Sequence, residues 1–167
     1  MLTEPRIVDR PALPYVAIRR TVGIPFGDAV DATMPKLWRW IETHGVESVG
    51  PPFFKYNLID MPKMLEIEFG APLAEAPAGD GEAVTGVLPA GRYATLTYHG
   101  HYDGLMGANA ALIDWVAANG HTFDVEHTPQ GDRFACRLEN YTNDPREVTD
   151  PADWETVLLF KLADGVP

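Results

Sequence analysis

The chain has 167 residues, 46% of them hydrophobic and 22% charged, a balance typical of one compact domain with a full hydrophobic core. Its 24 acidic residues outnumber its 13 lysines and arginines, and the formal net charge of -11 disfavours direct binding to nucleic acid. A single cysteine, Cys136, excludes an internal disulfide, and no apolar run is long enough to span a membrane or to form a secretion signal. We therefore expect a cytoplasmic protein, and nothing in the sequence indicates a protein partner.

The first half of the chain predicts a strand, a helix and two further strands. Residues 15–23, YVAIRRTVG, are rich in β-branched and aromatic residues and end in glycine, which is typical of a strand. The helix that follows has apolar residues at helical spacing, with Asp28 as its expected N-cap and Gly45 as its C-terminal stop. The runs 51–57 and 63–73 predict the next two strands.

The same pattern restarts after an acidic connection rich in glycine and proline, AEAPAGDGEAV, which predicts a surface segment. Residues 92–100 predict a strand. The helix after it is expected to have Asp103 as its cap and Gly120 as its stop. The last two strands are predicted in RFACRLENYTNDP (133–145) and WETVLLFKLA (154–163).

The two halves also match residue by residue. Four pairs of equivalent residues differ by 75 positions: Asp28 and Asp103, Leu37 and Leu112, Trp40 and Trp115, Gly45 and Gly120. A repeat of this size cannot bury both faces of its own small sheet, so the halves, about 13–73 and 90–163, should pack together in one domain. We predict an α+β fold with a duplicated βαββ plan, antiparallel sheets, helices on one face and a central groove.

Three segments, LPAGRYATLTYHGHYDGL, ENYTNDP and WETVLLFKLA, together with the duplicated plan, resemble the GyrI-like effector-binding family. This family includes gyrase-inhibitor proteins and the ligand-binding domains of multidrug-responsive transcription activators. The resemblance extends from about Arg6 to about Ala163, and no helix-turn-helix segment is recognised before it, which implies a stand-alone member. It implies two SH2-like halves and an aromatic groove in which an acidic residue receives lipophilic, often cationic, compounds.

The family motif Glu-x-Tyr-x-x-Asp-Pro is matched by Glu139, Tyr141, Asp144 and Pro145. The resemblance therefore implies that Glu139 is the functional carboxylate. It also implies that some stand-alone members hydrolyse strained electrophiles such as cyclopropanoid alkylating agents with the same glutamate.

Strand geometry predicts which side chains share a face around this glutamate, because successive side chains on a strand alternate between two faces. One face comprises Phe134, Cys136 and Leu138, and the other comprises Ala135, Arg137, Glu139 and Tyr141. We expect the first face to lie under a helix and the second to face the cleft between the halves. The alternative interpretation is that Glu139 is solvated, or is the ion-pair partner of Arg137.

The groove is expected to combine aromatic rings with one carboxylate. In the first half, Tyr56 is equivalent to Tyr141, whereas Phe54 is equivalent to Glu139. Such a set suits a flat cation or a polarised electrophile. The candidate ligand-binding residues are Glu139, Tyr141, Phe54, Tyr56, Tyr98, Trp115, Trp38 and Trp154.

Other chemistries have weaker support in the sequence. His99 and His101 could bind a metal, but a third ligand is lacking because Asp103 is better explained as a helix cap, so no metal is predicted. Ser48 is the only serine and lies in a predicted loop, and Cys136 is predicted to face the core. No haem motif or phosphate-binding loop is found, so no cofactor is expected.

Three functions follow from these patterns. The first is a module that binds lipophilic, aromatic or cationic small molecules for sequestration or sensing. The alternative is a hydrolase in which Glu139 activates water and a phenol, Tyr141 or Tyr98, acts as the acid. A second alternative is a protein inhibitor whose acidic surface blocks a DNA-binding enzyme such as gyrase.

Overall fold

The computed structural model describes residues 1–60 and 63–165. The elements are, in chain order, β1 (Arg6–Arg10), β2 (Leu13–Val22), α1 (Gly27–His44), β3 (Phe53–Asp60), β4 (Met64–Pro72), β5 (Ala83–Leu88), β6 (Gly91–His99), α2 (Leu105–Ala118), β7 (Val125–Thr128), β8 (Gly131–Phe134), β9 (Arg137–Tyr141) and β10 (Glu155–Lys161). The order β2-α1-β3-β4 is repeated as β6-α2-β9-β10. The α+β class and the duplicated βαββ plan are thus confirmed.

The two halves join in one continuous antiparallel sheet. The strand order is β1-β6-β10-β9-β3-β4-β2-β5, and β7 and β8 form a hairpin attached to β3. The halves meet where β3 pairs with β9, and in this register Phe54 lies directly opposite Glu139. Since the sequence repeat makes these two residues equivalent, the pseudo-two-fold axis passes through this pair. Glu139 therefore lies at the junction of the two halves.

The strands that the sequence did not predict are short ones. The strand that precedes each half pairs with the other half. Strand β1, before the first half, pairs with β6 of the second half, and β5, before the second half, pairs with β2 of the first half. The segment predicted as a surface connection includes the start of β5 at Ala83. Charged residues in β1 and a glycine in β5 weaken the strand pattern, as is common at sheet edges.

The predicted strand 133–145 is in fact two strands, β8 and β9, separated at Ala135 and Cys136. This break changes the alternation of the side chains. The guanidinium carbon of Arg137 lies 4.9 Å from the ring centre of Phe134. The prediction that Phe134 shares a face with Cys136 is therefore wrong, because period-two alternation holds only within an unbroken strand.

Both faces of the sheet are buried, because it curls into a half-barrel with the two helices on its outer side. The interior of the half-barrel holds a cluster of Tyr15, Ala17, Phe53, Leu88, Tyr93, Cys136, Leu138 and Leu159. Burial of Cys136 in the core is confirmed, and it raises the pKa of the thiol. The expectation that this face lies under a helix is wrong, since α2 covers the opposite face, to which Glu139 belongs.

The helices pack through buried residues at helical spacing. Helix α1 contributes Leu37 and Ile41 to a cluster with β2, and α2 contributes Leu112 and Val116 to a cluster with β6 and β10.

No helix within residues 1–60 and 63–165 is long and apolar enough to cross a membrane.

The helix ends differ in part from their predicted caps. Gly45 adopts the left-handed conformation at the end of α1, with φ of 61°, as predicted. Asp28 is not the N-cap of α1: the helix already begins at Gly27, and Asp28 lies in its first turn. Asp103 is not the cap of α2 either, because it lies in a short 3-10 turn that ends before Leu105.

Candidate functional site

A cavity of about 1430 Å³ lies between α1 and α2, over the seam where β3 pairs with β9. Its walls come from the two helices, the segment before α1 and the loop after β9. Five of the residues predicted to contact a ligand line it: Trp38, Phe54, Tyr56, Glu139 and Tyr141. Most of the remaining lining is apolar, so the cavity suits a lipophilic molecule.

Glu139 is buried, with 5% of the residue exposed, and two phenols donate hydrogen bonds to its carboxylate. The hydroxyls of Tyr56 and Tyr141 both donate to its Oε1, at 2.6 Å and 2.7 Å. Burial, reinforced by the negative charge of Glu139, holds the pKa of each phenol well above its ordinary value. Both tyrosines therefore stay protonated and remain hydrogen-bond donors.

The other carboxylate oxygen is held by Asn109, a residue of α2 that sequence reasoning missed. Its Nδ2 donates to Glu139 Oε2 at 3.0 Å, while its Oδ1 accepts from Nη2 of Arg137 at 3.0 Å. Among the described residues, Arg137 and Glu139 make no direct ion pair, so the ion-pair interpretation is replaced by a relay through the amide. The sequence signal for Asn109 was its position one helical turn after the apolar Leu105, which places both residues on the same side of α2.

Arg137 is fixed by aromatic rings as well as by Asn109. Its guanidinium carbon lies 4.4 Å from the ring centre of Phe160 and 4.9 Å from that of Phe134. Burial lowers the pKa of the guanidinium, and the nearby Glu139 acts in the opposite direction. Arginine nevertheless stays protonated in proteins, so the site contains one buried anion and one largely buried cation.

Aromatic rings extend from the carboxylate toward the outside of the cavity. Phe54 packs edge-on against Tyr141 at 4.6 Å between ring centres, and Tyr102 packs against Tyr141 at 5.6 Å. Phe26, just before α1, lies 6.2 Å from Phe54. Phe26 and Tyr102 were not predicted, because each lies just before a helix, outside the strands and helices that supplied the candidates.

The mouth of the cavity combines apolar and acidic side chains that are exposed to solvent. Trp38 and Met106 are 38% and 69% exposed, although both are large and hydrophobic. The acidic residues that line the cavity near solvent are Asp31, Asp103, Asp144 and Glu147. Arg146 neutralises Asp144 through an ion pair of 2.6 Å.

The structure does not bring three of the predicted residues to the cavity. Tyr98 lies beneath the turn before α2, where its hydroxyl donates to the carbonyl of His101 at 2.8 Å and its ring fills the space that a side chain at Gly104 would need. Trp115 packs on the cluster under α2. Trp154 lies behind Tyr102, with ring centres 4.7 Å apart.

The histidines near the cavity pair with carboxylates. His101 lies 3.2 Å from Asp103, and His99 lies 3.9 Å from Glu155. In the part of the chain that the structure describes, no group of three or more histidine, cysteine, aspartate or glutamate residues is placed to hold a metal ion.

Comparison with protein families gives a match that covers nearly the whole chain. The family described as the GyrI-like small molecule binding domain matches residues 3–163. Curated proteins give no match.

Several solved structures share this fold. The C-terminal domain of EcmrR superposes with a TM-score of 0.78 at 20% identity, over 96% of this chain and 97% of that one. In the complex of EcmrR with DNA the TM-score is 0.77 at 20% identity, over 95% of this chain but only 57% of that one. The chain therefore spans little more than half of the longer EcmrR chain.

Two more distant structures superpose over almost the full chain. SAV2435 bound to tetraphenylphosphonium has a TM-score of 0.59 at 10% identity, over 97% of this chain and 95% of that one. A hydrolase from Listeria innocua has a TM-score of 0.59 at 11% identity, over 96% of this chain and 92% of that one. At these identities the likeness establishes a shared fold.

Proposed function

The chain belongs to the GyrI-like small molecule binding domain family, and from this we propose that it binds lipophilic, aromatic or cationic molecules in the cavity between α1 and α2. The binding would sequester or sense a drug-like compound. SAV2435, which shares the fold, is seen with tetraphenylphosphonium, a lipophilic cation. EcmrR, which shares the fold with a higher TM-score, is seen in a complex with DNA.

The observation that carries this proposal is the position of Glu139. Removing a carboxylate from water is costly, and here it is placed at the end of an apolar cavity and held by neutral donors on Tyr56, Tyr141 and Asn109. These three hydrogen bonds hold the carboxylate in place, and because their donors are uncharged they leave it with its negative charge. A ligand that reaches the cavity floor would meet an oriented anion surrounded by aromatic rings.

A titration with matched variants tests the proposal. A thermal-shift screen of neutral and cationic aromatic compounds identifies binders, because a ligand that binds the native state raises its apparent stability. Glu139→Gln should then weaken the binding of a hit by about tenfold or more, which corresponds to one lost charge-assisted hydrogen bond. Glu155→Gln on the adjacent β10, outside the cavity lining, is the control and should bind as the wild type does. Equal affinities for all three proteins would remove Glu139 from the site.

A second candidate function is hydrolysis of a strained electrophile. It is favoured by an acceptor position of the carboxylate: among the described residues, Oε1 accepts hydrogen bonds from two phenols, whereas Oε2 accepts one from Asn109, and a carboxylate oxygen can accept a second hydrogen bond from water. In this reaction Glu139 would take a proton from that water as its oxygen attacks a ring carbon, and the opened ring would be protonated by an acid. The Listeria innocua hydrolase shares the fold.

Product analysis distinguishes the two functions. Incubation with a cyclopropanoid compound and mass spectrometry would show the addition of one water over many turnovers if the protein is a hydrolase. This product should disappear in Glu139→Gln and persist in Glu155→Gln. Stoichiometric binding without a hydrated product would leave binding as the function.

A further inference from the structure

We infer that the inner end of the cavity selects neutral aromatic ligands that carry a hydrogen-bond donor over fixed cations of the same shape. This inference rests on the proposed function and narrows the class of its ligand. It follows from the charges around Glu139 and from the number of hydrogen bonds that its carboxylate already accepts.

Two opposite charges lie close together at the inner end of the cavity. Arg137 and Glu139 lie two residues apart on the same face of β9, roughly 7 Å between their Cα atoms, and both line the cavity. Asn109 links them, and the rings of Phe134 and Phe160 hold the guanidinium in place. A cationic ligand at the cavity floor is thus attracted by one fixed charge and repelled by another. In a site of low polarity this repulsion is weakly screened, so a cation gains little over a neutral molecule.

The hydrogen bonds that Glu139 already accepts limit which ligands it can bind. A carboxylate offers about four acceptor positions, and within residues 1–60 and 63–165 three of those on Glu139 are filled, by Tyr56, Tyr141 and Asn109. The remaining position is on Oε2. A ligand N–H or O–H can occupy it with a charge-assisted hydrogen bond, whereas a quaternary or N-alkylated cation has no hydrogen to donate.

The acidic residues at the mouth act differently from the cavity floor. Asp31, Asp103 and Glu147 are exposed, so solvent and salt screen their charges. They can raise the rate at which cations arrive, but the bound position is determined by the buried groups.

Three fluorescent probes of nearly equal shape separate charge from hydrogen bonding. Acridone is neutral and carries one N–H, 10-methylacridone is neutral and has no donor, and 10-methylacridinium is a fixed cation without a donor. We expect the wild type to bind acridone most tightly and 10-methylacridinium most weakly, with about a tenfold or larger difference between these two. The measurement is a fluorescence titration at two salt concentrations.

Two variants of the arginine test the source of the preference. Arg137→Met keeps an unbranched side chain between the two rings but removes the charge, and it should reduce the preference for acridone over 10-methylacridinium by about tenfold. Arg137→Lys keeps the charge and should retain the wild-type order. Circular dichroism and thermal melting show whether each variant is folded. If Arg137→Met does not fold, the order in which the wild type binds the three probes decides the inference.

The outcomes separate the inference from the proposed function. Binding of 10-methylacridinium to the wild type as tightly as acridone, with Glu139→Gln weakening both, would overturn the inference and support the proposed function. Binding of none of the probes up to their solubility limits would overturn the proposed function, and the inference with it.

Discussion

In the part of the chain that the structure describes, two carboxylates are buried, those of Glu68 and Glu139, and they lie on opposite faces of the same sheet. Their exposed fractions are similar, 2% and 5%. The groups around Glu68 are on the interior side of the half-barrel. Tyr15 donates to it at 2.8 Å, Asn57 at 2.5 Å and Lys55 at 3.3 Å.

The difference between the two sites is the presence of a cation in direct contact. Lys55 lies opposite Glu68 in the β3–β4 register and neutralises it inside a closed core. Glu139 is held by neutral donors and lines a cavity. Burial alone therefore does not indicate function. A buried charge that is paired in a closed core stabilises a structure, whereas a buried charge without a contacting cation, beside open space, is available to a ligand.

The pKa of Glu68 reflects its partners. Burial is the largest single influence and opposes ionisation, but the attraction of Lys55 and the hydrogen bonds from Asn57, Tyr15 and Lys55 together outweigh it. The pKa of this carboxyl is consequently lower than its ordinary value.

The largest expected effect comes from removing the cation of the closed site. Lys55→Met leaves the charge of Glu68 buried without its ion-pair partner, and it should lower the free energy of unfolding by about 3–5 kcal/mol. Glu139→Gln should cost about 1–2 kcal/mol, because no contacting cation is left unpaired. Urea denaturation measures both. The double variant Lys55→Met/Glu68→Gln should recover part of the loss; a Lys55→Met protein that is as stable as Glu139→Gln would contradict the comparison.

The next effect is a dependence of stability on pH. Because the pKa of Glu68 is lower in the folded state than in the unfolded chain, its contribution is complete above the unfolded value of about 4.3 and is lost as the pH falls through the folded value. The slope from this one group is at most about 1.4 kcal/mol per pH unit. Denaturation between pH 3 and 6, at about half-unit steps, should show a steeper loss in the wild type than in Lys55→Met/Glu68→Gln. Parallel curves for the two proteins would exclude this role for Glu68.

The smallest expected effect on stability distinguishes the two sites most finely. Tyr15→Phe removes one hydrogen bond to Glu68, and Tyr141→Phe removes one to Glu139. Each should lower the free energy of unfolding by about 1 kcal/mol. Only Tyr141→Phe should also change the affinity for an aromatic ligand. A change of affinity in Tyr15→Phe of the same size would show that the two faces of the sheet are coupled.

The sequence predicted those helices and strands that have a clear pattern of apolar residues within their own length. Both helices, the main strands and the repeat follow from local spacing, whereas the pairing of Phe54 with Glu139 across the seam came from the structure. In β4, Glu66 and Glu68 alternate with Leu65, Ile67 and Phe69, a pattern that is typical of a half-exposed strand, yet Glu68 is buried. A curled sheet has no solvent-facing side at its centre, and one strand does not reveal the curl.

The contacts that complete the candidate site were less accessible to prediction. Asn109 precedes Glu139 by 30 residues and Tyr56 precedes it by 83, so their hydrogen bonds depend on how the helix and the two halves pack. Tyr98 has the same residue type and a plausible place on a strand, yet the turn before α2 holds its ring elsewhere. Residue type and strand phase limit the candidates, and packing between distant segments selects among them.

The central claim is that the cavity over the β3–β9 seam receives a small molecule at Glu139. A crystal structure of the chain with its tightest aromatic ligand tests this most directly. The predicted result is a ligand between α1 and α2, with its ring near Phe54 and a donor atom about 3 Å from Oε2 of Glu139. A ligand bound elsewhere, with the cavity empty and Glu139 still bonded only to Tyr56, Tyr141 and Asn109, would contradict it.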